Sequence, residues 1–174
     1  MTSSSTKSVC EEKHFDTLFK AHYQTATNYI YYKCGNLQQA EDIVQDAFVK
    51  IWKRCADIIY ETAKSFLFTI CNNALRNEFK HQKVVLRHEA IPRDNSDYET
   101  PDFIMETEDF RKQLENAIAS LSSKEREVFL LSRIDKKTYK EIAEITGITV
   151  KAVERRMSNA FINLRKSLGA NLKF

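Results

Sequence analysis

Residues 138–166, TYKEIAEITGITVKAVERRMSNAFINLRK, decide the fold of the second half of the chain. Thr138 and Thr149 each precede an apolar run of helical period, which predicts that both threonines are N-caps. Gly147 lies between the runs, where a tight turn needs the left-handed backbone that glycine adopts without steric cost. The apolar positions are Ile142, Ala143 and Ile145 in the first run and Val153, Met157, Ala160 and Leu164 in the second. The stretch therefore predicts a helix-turn-helix.

The outer face of the second helix carries side chains that can read DNA. In a DNA-binding helix-turn-helix this helix enters the major groove, where arginine pairs with guanine and asparagine with adenine. The exposed positions are predicted to be Lys151, Ala152, Glu154, Arg155, Arg156, Ser158 and Asn159. An ordinary αα-hairpin with a solvated charged face is the alternative. The glycine, the capping threonines and the base-capable side chains favour the DNA-reading interpretation.

The rest of the chain also shows helical rather than strand periodicity. Upstream of the helix-turn-helix, Leu114, Ile118 and Leu121 predict one helix, and Ser122 or Ser123 caps the next. In residues 39–54, QAEDIVQDAFVKIWKR, one face of the predicted helix is apolar, and the other carries carboxylate and amide side chains. Similar stripes precede and follow this segment, and Gly35-Asn36 predicts a helix stop. The fold class is therefore all-α, with a first module of three to four helices.

A polar and basic face is predicted on the third helix of the first module. Its members are Asn72, Asn73, Arg76, Asn77 and Lys80, interleaved with aromatic residues. Asparagine and arginine read base edges, and aromatic rings stack on unpaired bases. A helix with a solvated basic face is the alternative, but a second DNA-reading module in the same chain favours the nucleic-acid interpretation.

Charge divides the chain into modules. Residues 1–88 carry a net charge of +3, residues 89–110 carry −7 and residues 111–168 carry +6. The acidic strip also holds both prolines, which disfavour helix, so it predicts a flexible linker with a short ordered piece around residues 103–105. The predicted organisation is a disordered tail at 1–13, a helical bundle at 14–88, the acidic linker at 89–110 and the helix-turn-helix domain at 111–174.

Composition and motifs exclude several other classes. The mean hydropathy of −0.47 and the absence of a long apolar run predict a cytoplasmic protein rather than a membrane or secreted one. A reducing cytosol argues against disulfides among the four cysteines, so Cys55 and Cys71 are expected to be buried thiols and Cys10 to lie in a mobile tail. Scattered histidines and the lack of a P-loop or H-E-x-x-H motif predict a non-enzyme without metal or cofactor.

Three blocks, in this order and spacing, resemble the bacterial extracytoplasmic-function sigma factors, the small two-domain class of promoter-recognition subunits of RNA polymerase. The blocks are AEDIVQDAFVKIWKR at 40–54, SFLFTICNNALRNEFKHQK at 65–83 and LSSKEREVFLLSRIDKKTYKEIAEITGITVKAVERRMSNAFINLRK at 121–166. The resemblance extends over about residues 14 to 168. A stand-alone helix-turn-helix regulator with a helical ligand or dimerisation domain is the alternative, but it leaves the basic asparagine-rich helix and the acidic linker unexplained.

The resemblance implies a role for each face. The helix at 41–54 would dock on the clamp helices of the polymerase β′ subunit, with Trp52 packing beneath its contact residues. Those contact residues would be Glu41, Asp42, Gln45 and Asp46. Asn73 would line a pocket for a flipped base of the −10 element, and the remaining −10 contacts would be Asn72, Arg76, Asn77 and Lys80. The −35 contacts would be Thr149, Lys151, Ala152, Arg155, Arg156 and Asn159, with one of the two arginines reading a base.

The resemblance also implies partners. These are core RNA polymerase through its β′ and β subunits, promoter DNA, and an anti-sigma factor, often membrane-anchored. The pair Lys151-Ala152 departs from the glycine-threonine frequent in the family, and Asn159 stands where a basic residue is frequent. The −35 sequence is therefore not transferable from relatives.

Overall fold

Most of the chain that the structure describes is α-helical. A computed structural model describes residues 8–78 and 101–169, without the side chains of residue 78 and of residues 101–109. Its helices are α1 (Glu12–Cys34), α2 (Leu37–Lys53), α3 (Tyr60–Glu78), α4 (Pro101–Ser120), α5 (Ser123–Arg133), α6 (Tyr139–Thr146) and α7 (Val150–Leu168). The predicted all-α class with two helical domains is confirmed. None of the described helices is both long and apolar enough to cross a membrane.

Helices α1, α2 and α3 form the first module around one apolar core. Ile30, Val44, Ile51 and Leu67 are fully buried, each from a helix stripe of the predicted period. Burying a side chain of this size stabilises the fold by about 1.5–3 kcal/mol relative to exposure. The helix stop at Gly35-Asn36 is confirmed: Gly35 has φ 71° and donates its N–H to the Tyr31 carbonyl, and Asn36 then caps α2.

The caps predicted for the second module are also confirmed. Ser122 and Thr138 each form a capping box with the glutamate three residues later. Thr149 accepts a hydrogen bond from the Ala152 amide at 3.2 Å, which fixes the start of α7. Gly147 has φ 69° and ends α6, so α6 and α7 form the predicted helix-turn-helix.

The N-terminal segment differs from the predicted disordered tail. Val9 is fully buried, Ser8 forms an isolated bridge with Ile59, and α1 already begins at Glu12. A buried apolar side chain and a backbone bridge order the segment from Ser8 onward. The prediction of disorder is therefore wrong for residues 8–13, and residues 1–7 lie outside the described part.

The acidic linker differs in its second half. Helix α4 begins at Pro101, so all of residues 101–110 are helical, and not only the short ordered piece predicted around residues 103–105. Proline is compatible with the first position of a helix because its missing N–H has no partner there, and its φ is already helical. The composition predicts that Pro101 interrupts a helix, whereas in the structure Pro101 is the first residue of α4. Residues 89–100 of the predicted linker lie outside the described part, and the domain boundaries stay a prediction.

The cysteine prediction is wrong for Cys10 and Cys55, which form a disulfide with a Cα–Cα distance of 4.9 Å. The pairing follows from the fold, because α1 and α2 are packed in opposite directions. The start of α1 and the end of α2 therefore meet at one end of the bundle. Cys34 and Cys71 remain thiols, and Cys71 is buried as predicted. Its burial raises the pKa of the Cys71 thiol to about 12, which makes it unreactive.

Candidate nucleic-acid interface

Helix α7 presents a row of exposed polar side chains on the side opposite its core. Val153 and Met157 are buried, whereas Lys151, Arg155 and Asn159 are exposed. The exposed residues recur every four positions, so they lie on one face one above the other. The row therefore has the geometry that base reading in a major groove requires.

Arg156 differs from Arg155, and the prediction that it is exposed is wrong. Its Nη1 donates to Glu127 Oε1 at 2.8 Å, and its side chain is only partly exposed. Ala152, one turn earlier on the same side, is also half-buried. Successive residues differ by about 100° around a helix, so this side of α7 turns toward α5 while Arg155 faces solvent. Of the two arginines, Arg155 is thus the one free to reach a base.

Helix α3 carries most of the predicted basic face on its surface. Asn73, Arg76 and Asn77 are exposed near the end of the helix. Asn72 is half-buried, and its Oδ1 accepts a hydrogen bond from Lys33 Nζ at 2.7 Å. Lys80 lies outside the described residues. The structure therefore brings three of the five predicted side chains to one accessible surface and holds Asn72 in an internal contact.

The acidic face of α2 borders the same surface. Asp42, Gln45 and Asp46 are exposed and Glu41 is half-buried. A groove of about 630 Å³ runs between α2 and α3, and its walls include Asp42, Asp46 and Asn77. Carboxylates of α2 and an amide of α3 thus line one continuous groove, which brings the predicted polymerase and −10 residues together.

Trp52 does not pack beneath the acidic face, contrary to the prediction. Its side chain is 44% exposed, and its ring contacts Phe15 at a centroid distance of 4.9 Å. It lines an apolar groove of about 560 Å³ between α1 and α2, which also includes Gln45 and Val49. In the last turn of α2, position 52 faces away from the core. It lies on the side of α2 that α1 covers only in part. Apolar surface therefore adjoins the acidic residues on α2.

Arg126 and Glu127 are two neighbouring charged residues that are buried, which the sequence interpretation did not predict. Arg126 is 2% exposed and donates Nε to the Tyr32 carbonyl at 2.8 Å and Nη1 to the Ala119 and Leu121 carbonyls at 3.0 Å each. Burial lowers the pKa of its guanidinium. Glu127 is 3% exposed. The sequence does contain a feature that indicates the burial of Glu127. This residue precedes the buried Leu130 and Leu131 by three and four positions, so it lies on the same face of α5 as they do.

Buried hydroxyl and carboxyl groups surround the same region. Burial raises the pKa of both Tyr32 and Asp135, and the Asp135 carboxylate raises the pKa of Tyr32 further. Asn28 Nδ2 also donates to Asp135 Oδ1 at 2.6 Å, which counteracts part of the rise in the Asp135 pKa. Burial likewise raises the pKa of Tyr29, whose hydroxyl accepts from Lys33 Nζ at 2.8 Å. These polar groups join α1 to the second module.

Comparison with known proteins assigns a family to each module. Residues 18–84 match the family described as Sigma-70 region 2, and residues 111–164 match the family described as Sigma-70, region 4. The RNA polymerase sigma factor YlaC of Bacillus subtilis is 26% identical over 165 residues, covering 90% of this chain and 94% of its own. The ferric citrate uptake sigma factor FecI of Escherichia coli is 26% identical, covering 84% and 86%.

Solved structures with the same fold cover nearly the whole chain. CnrH, in complex with the cytosolic domain of CnrY, has a TM-score of 0.60 at 22% identity and covers 93% of this chain and 92% of its own. The sigma factor RpoE of Bartonella quintana, in complex with the anti-sigma factor NepR, has a TM-score of 0.58 at 20% identity and covers 92% and 99%. Both similarities include the two helical modules together.

Proposed function

Because the chain belongs to the extracytoplasmic-function class of RNA polymerase sigma factors, we propose that α2 binds core polymerase, α3 melts the −10 element and α7 reads the −35 element. In this role the protein is a regulatory subunit and not a catalyst, and it acts in the cytoplasm, where polymerase and DNA are.

The observation that supports the proposal most strongly is the difference in character between the three faces. The exposed face of α2 offers carboxylates, and those of α3 and α7 offer arginine, lysine and asparagine. Carboxylates repel phosphate, so the α2 face suits a basic protein surface, whereas the other two suit nucleic acid. One chain thus has the surfaces to bind a protein partner and two DNA elements.

The polymerase contact combines charge with apolar area. Asp42 and Asp46 are exposed. The neighbouring Gln45 lines the apolar groove together with Trp52 and Val49. Exposed charges mainly steer association and fix the register, while the apolar groove supplies desolvation energy. We expect the β′ clamp helices to cover both parts of this surface.

Reversal of the α2 charges tests the polymerase assignment. Asp42→Lys together with Asp46→Lys should weaken binding to core polymerase by tenfold or more at low salt, on the order of 1 kcal/mol per reversed pair. Asp16→Lys, an exposed acidic residue of α1 outside this face, is the matched control and should bind as the unmodified protein does. Unchanged affinity of the double variant in a titration against core would refute the assignment.

The two arginines of α7 should have different effects on promoter preference. Arg155 is exposed, so Arg155→Ala should cost about 1–3 kcal/mol at one −35 position and relax preference there if it reads a base. If Arg155 holds a phosphate instead, its loss should weaken binding to all sequences and make the salt slope shallower by about one unit. A panel of single-base promoter variants at two salt concentrations distinguishes the two results. If Arg155→Ala transcribes every promoter variant as well as the unmodified protein does at both salt concentrations, the role of α7 is refuted.

An anti-sigma factor is the proposed regulator. Both structural neighbours are described in complex with other proteins, and the partner of RpoE is named an anti-sigma factor. By their similarity to this chain we propose that a partner of that class binds it and withholds it from polymerase.

A further inference from the structure

Helix α7 carries a single acidic side chain, and that side chain is exposed. Glu154 is the one carboxylate among residues 150–168, which also contain five arginine and lysine residues. Its side chain faces solvent, whereas the preceding Val153 is fully buried. A carboxylate lowers the positive charge of a surface that meets phosphates, so it weakens DNA binding unless it has a partner of its own.

The helical period places Glu154 inside the exposed face of α7 and not at its edge. Successive residues differ by about 100° around the axis, so Glu154 and Arg155 lie about 50° to either side of a line through Lys151 and Ser158. All four of these side chains are exposed. Val150, which lies beyond Glu154 on the same side, is also 40% exposed. Glu154 is therefore as well placed as Arg155 to enter a major groove.

The contacts within the described part of the chain do not explain the charge of Glu154. Neither an ion pair nor a hydrogen bond joins its carboxylate to another described residue. The residues four positions before and after it are not cations, and Arg156 donates to Glu127 instead. Glu154 is the fifth residue of α7, beyond the first turn in which the helix dipole favours negative charge. The free protein therefore gains little from this carboxylate.

The chemistry of a carboxylate restricts what Glu154 can contact in a major groove. An ionised carboxylate accepts hydrogen bonds and donates none, so phosphates repel it and only a base with a donor suits it. Guanine presents two acceptors in the groove, and thymine presents an acceptor and a methyl group. Adenine presents an amino donor beside the N7 acceptor, whereas cytosine presents only its N4 amino donor. Cytosine is thus the base that a carboxylate fits best.

We propose that Glu154 determines promoter specificity by accepting a hydrogen bond from the N4 amino group of one cytosine in the −35 element. The inference rests on the proposed function, because it requires α7 to lie in the major groove of that element. Consecutive residues advance 1.5 Å along a helix, whereas base pairs advance about 3.4 Å along the duplex. We therefore expect the cytosine in the base pair that Arg155 contacts or in an adjacent one.

The same carboxylate acts against other sequences. Opposite guanine or thymine it meets acceptor atoms at close range, so it loses water without gaining a donor. Lys151 and Arg155 flank Glu154 on the helix, and their positive charge offsets the repulsion between the carboxylate and nearby phosphates. One mismatched base pair commonly lowers affinity by about fivefold or more. We expect an effect of this size when the cytosine is replaced.

The test uses the holoenzyme, assembled from core polymerase and the full chain. A pool of promoter fragments carries a randomised −35 element upstream of a constant −10 element, and the fragments that the holoenzyme retains are sequenced. The unmodified protein should enrich cytosine at one position. Glu154→Gln should lower that enrichment by about fivefold or more and favour adenine instead, because a side-chain amide pairs with adenine N6 and N7. Glu154→Ala should accept all four bases there about equally.

A matched control removes a carboxylate elsewhere on the surface. Glu61 is exposed in the first turn of α3, outside the face of α7, so Glu61→Gln should leave the base frequencies unchanged. Because Glu154 is exposed, its two variants should fold as the unmodified protein does, which circular dichroism and thermal unfolding verify. Base frequencies are compared between folded proteins only.

The outcomes separate this inference from the proposed function. If the same cytosine stays enriched in both Glu154 variants, the inference is overturned. It is also overturned if the variants bind every fragment more tightly with unchanged base frequencies, since Glu154 then acts through its charge alone. In both cases a −35 motif enriched by the unmodified holoenzyme leaves the proposed function standing. If the unmodified holoenzyme enriches no −35 motif, the proposed function fails, and this inference fails with it.

Discussion

The disulfide between Cys10 and Cys55 should make the stability of the first module depend on reductant. The bond closes a segment of the chain with a sequence separation of 45 residues. In the chain-entropy description, closing a loop of this length lowers the entropy of the unfolded chain enough to stabilise the fold by about 4 kcal/mol, and measured values are commonly about 2–4 kcal/mol. Cys10→Ser, or reduction of the unmodified protein, should therefore lower the free energy of unfolding by about 2–4 kcal/mol.

Trp52 provides a probe for this measurement. It is the single tryptophan of the chain, it lies three residues before Cys55, and its ring packs against Phe15 near the start of α1. Urea unfolding followed by its fluorescence should give the same lower stability for Cys10→Ser and for the reduced unmodified protein. Cys34→Ser, which leaves the bond intact, is the control. A difference below about 0.5 kcal/mol between oxidised and reduced protein would refute the cross-link, because surface changes alone reach that size.

Three further predictions concern individual residues. Gly147→Ala should destabilise the second module by about 1–2 kcal/mol in thermal unfolding, because φ is 69° there while a new Cβ would meet no atom within 4 Å; an unchanged midpoint would show that the turn relaxes. Asn73→Ala should reduce promoter melting in permanganate footprints while core binding persists, and normal melting would place the −10 pocket elsewhere. His22 has a lowered pKa because of burial and then of Lys64 and Lys137, so the unfolded chain binds more protons than the folded one. Stability should thus fall as the pH drops below about 6.5, and His22→Gln should remove that part of the pH dependence in urea titrations.

The helices and their ends could be predicted because their determinants are local. The caps at Ser122, Thr138 and Thr149 and the left-handed Gly147 each depend on residues within one helical turn. The helical spacing of the apolar residues likewise predicted which face of α7 is buried. Pro101 was misjudged for a related reason, since the same residue that ends a helix also begins one, and only its position in the helix distinguishes the two cases.

The contacts between distant segments could not be predicted in the same way. The partners Cys10 and Cys55 are 45 residues apart, and Lys33 and Glu127 are further apart still. Their pairing depends on how α1 packs against α2 and α5, which no local pattern specifies. For the candidate site, the exposed side chains of α2, α3 and α7 followed from helix faces. The contact of Asn72 with Lys33 and that of Arg156 with Glu127 depend instead on how α1 packs against α3 and α5 against α7.

The central claim is that this chain confers promoter selectivity on RNA polymerase, and transcription of fragmented genomic DNA from the source organism tests it most directly. Core polymerase alone and core with the purified protein are compared, with sequencing of the transcript 5′ ends. The sigma-factor function predicts a small set of new start sites, which share one motif near −35 and one near −10. These start sites should disappear with the Asp42→Lys and Asp46→Lys double variant. An unchanged set of start sites, from preparations in which core and the protein are both active and mixed in excess, would contradict the claim.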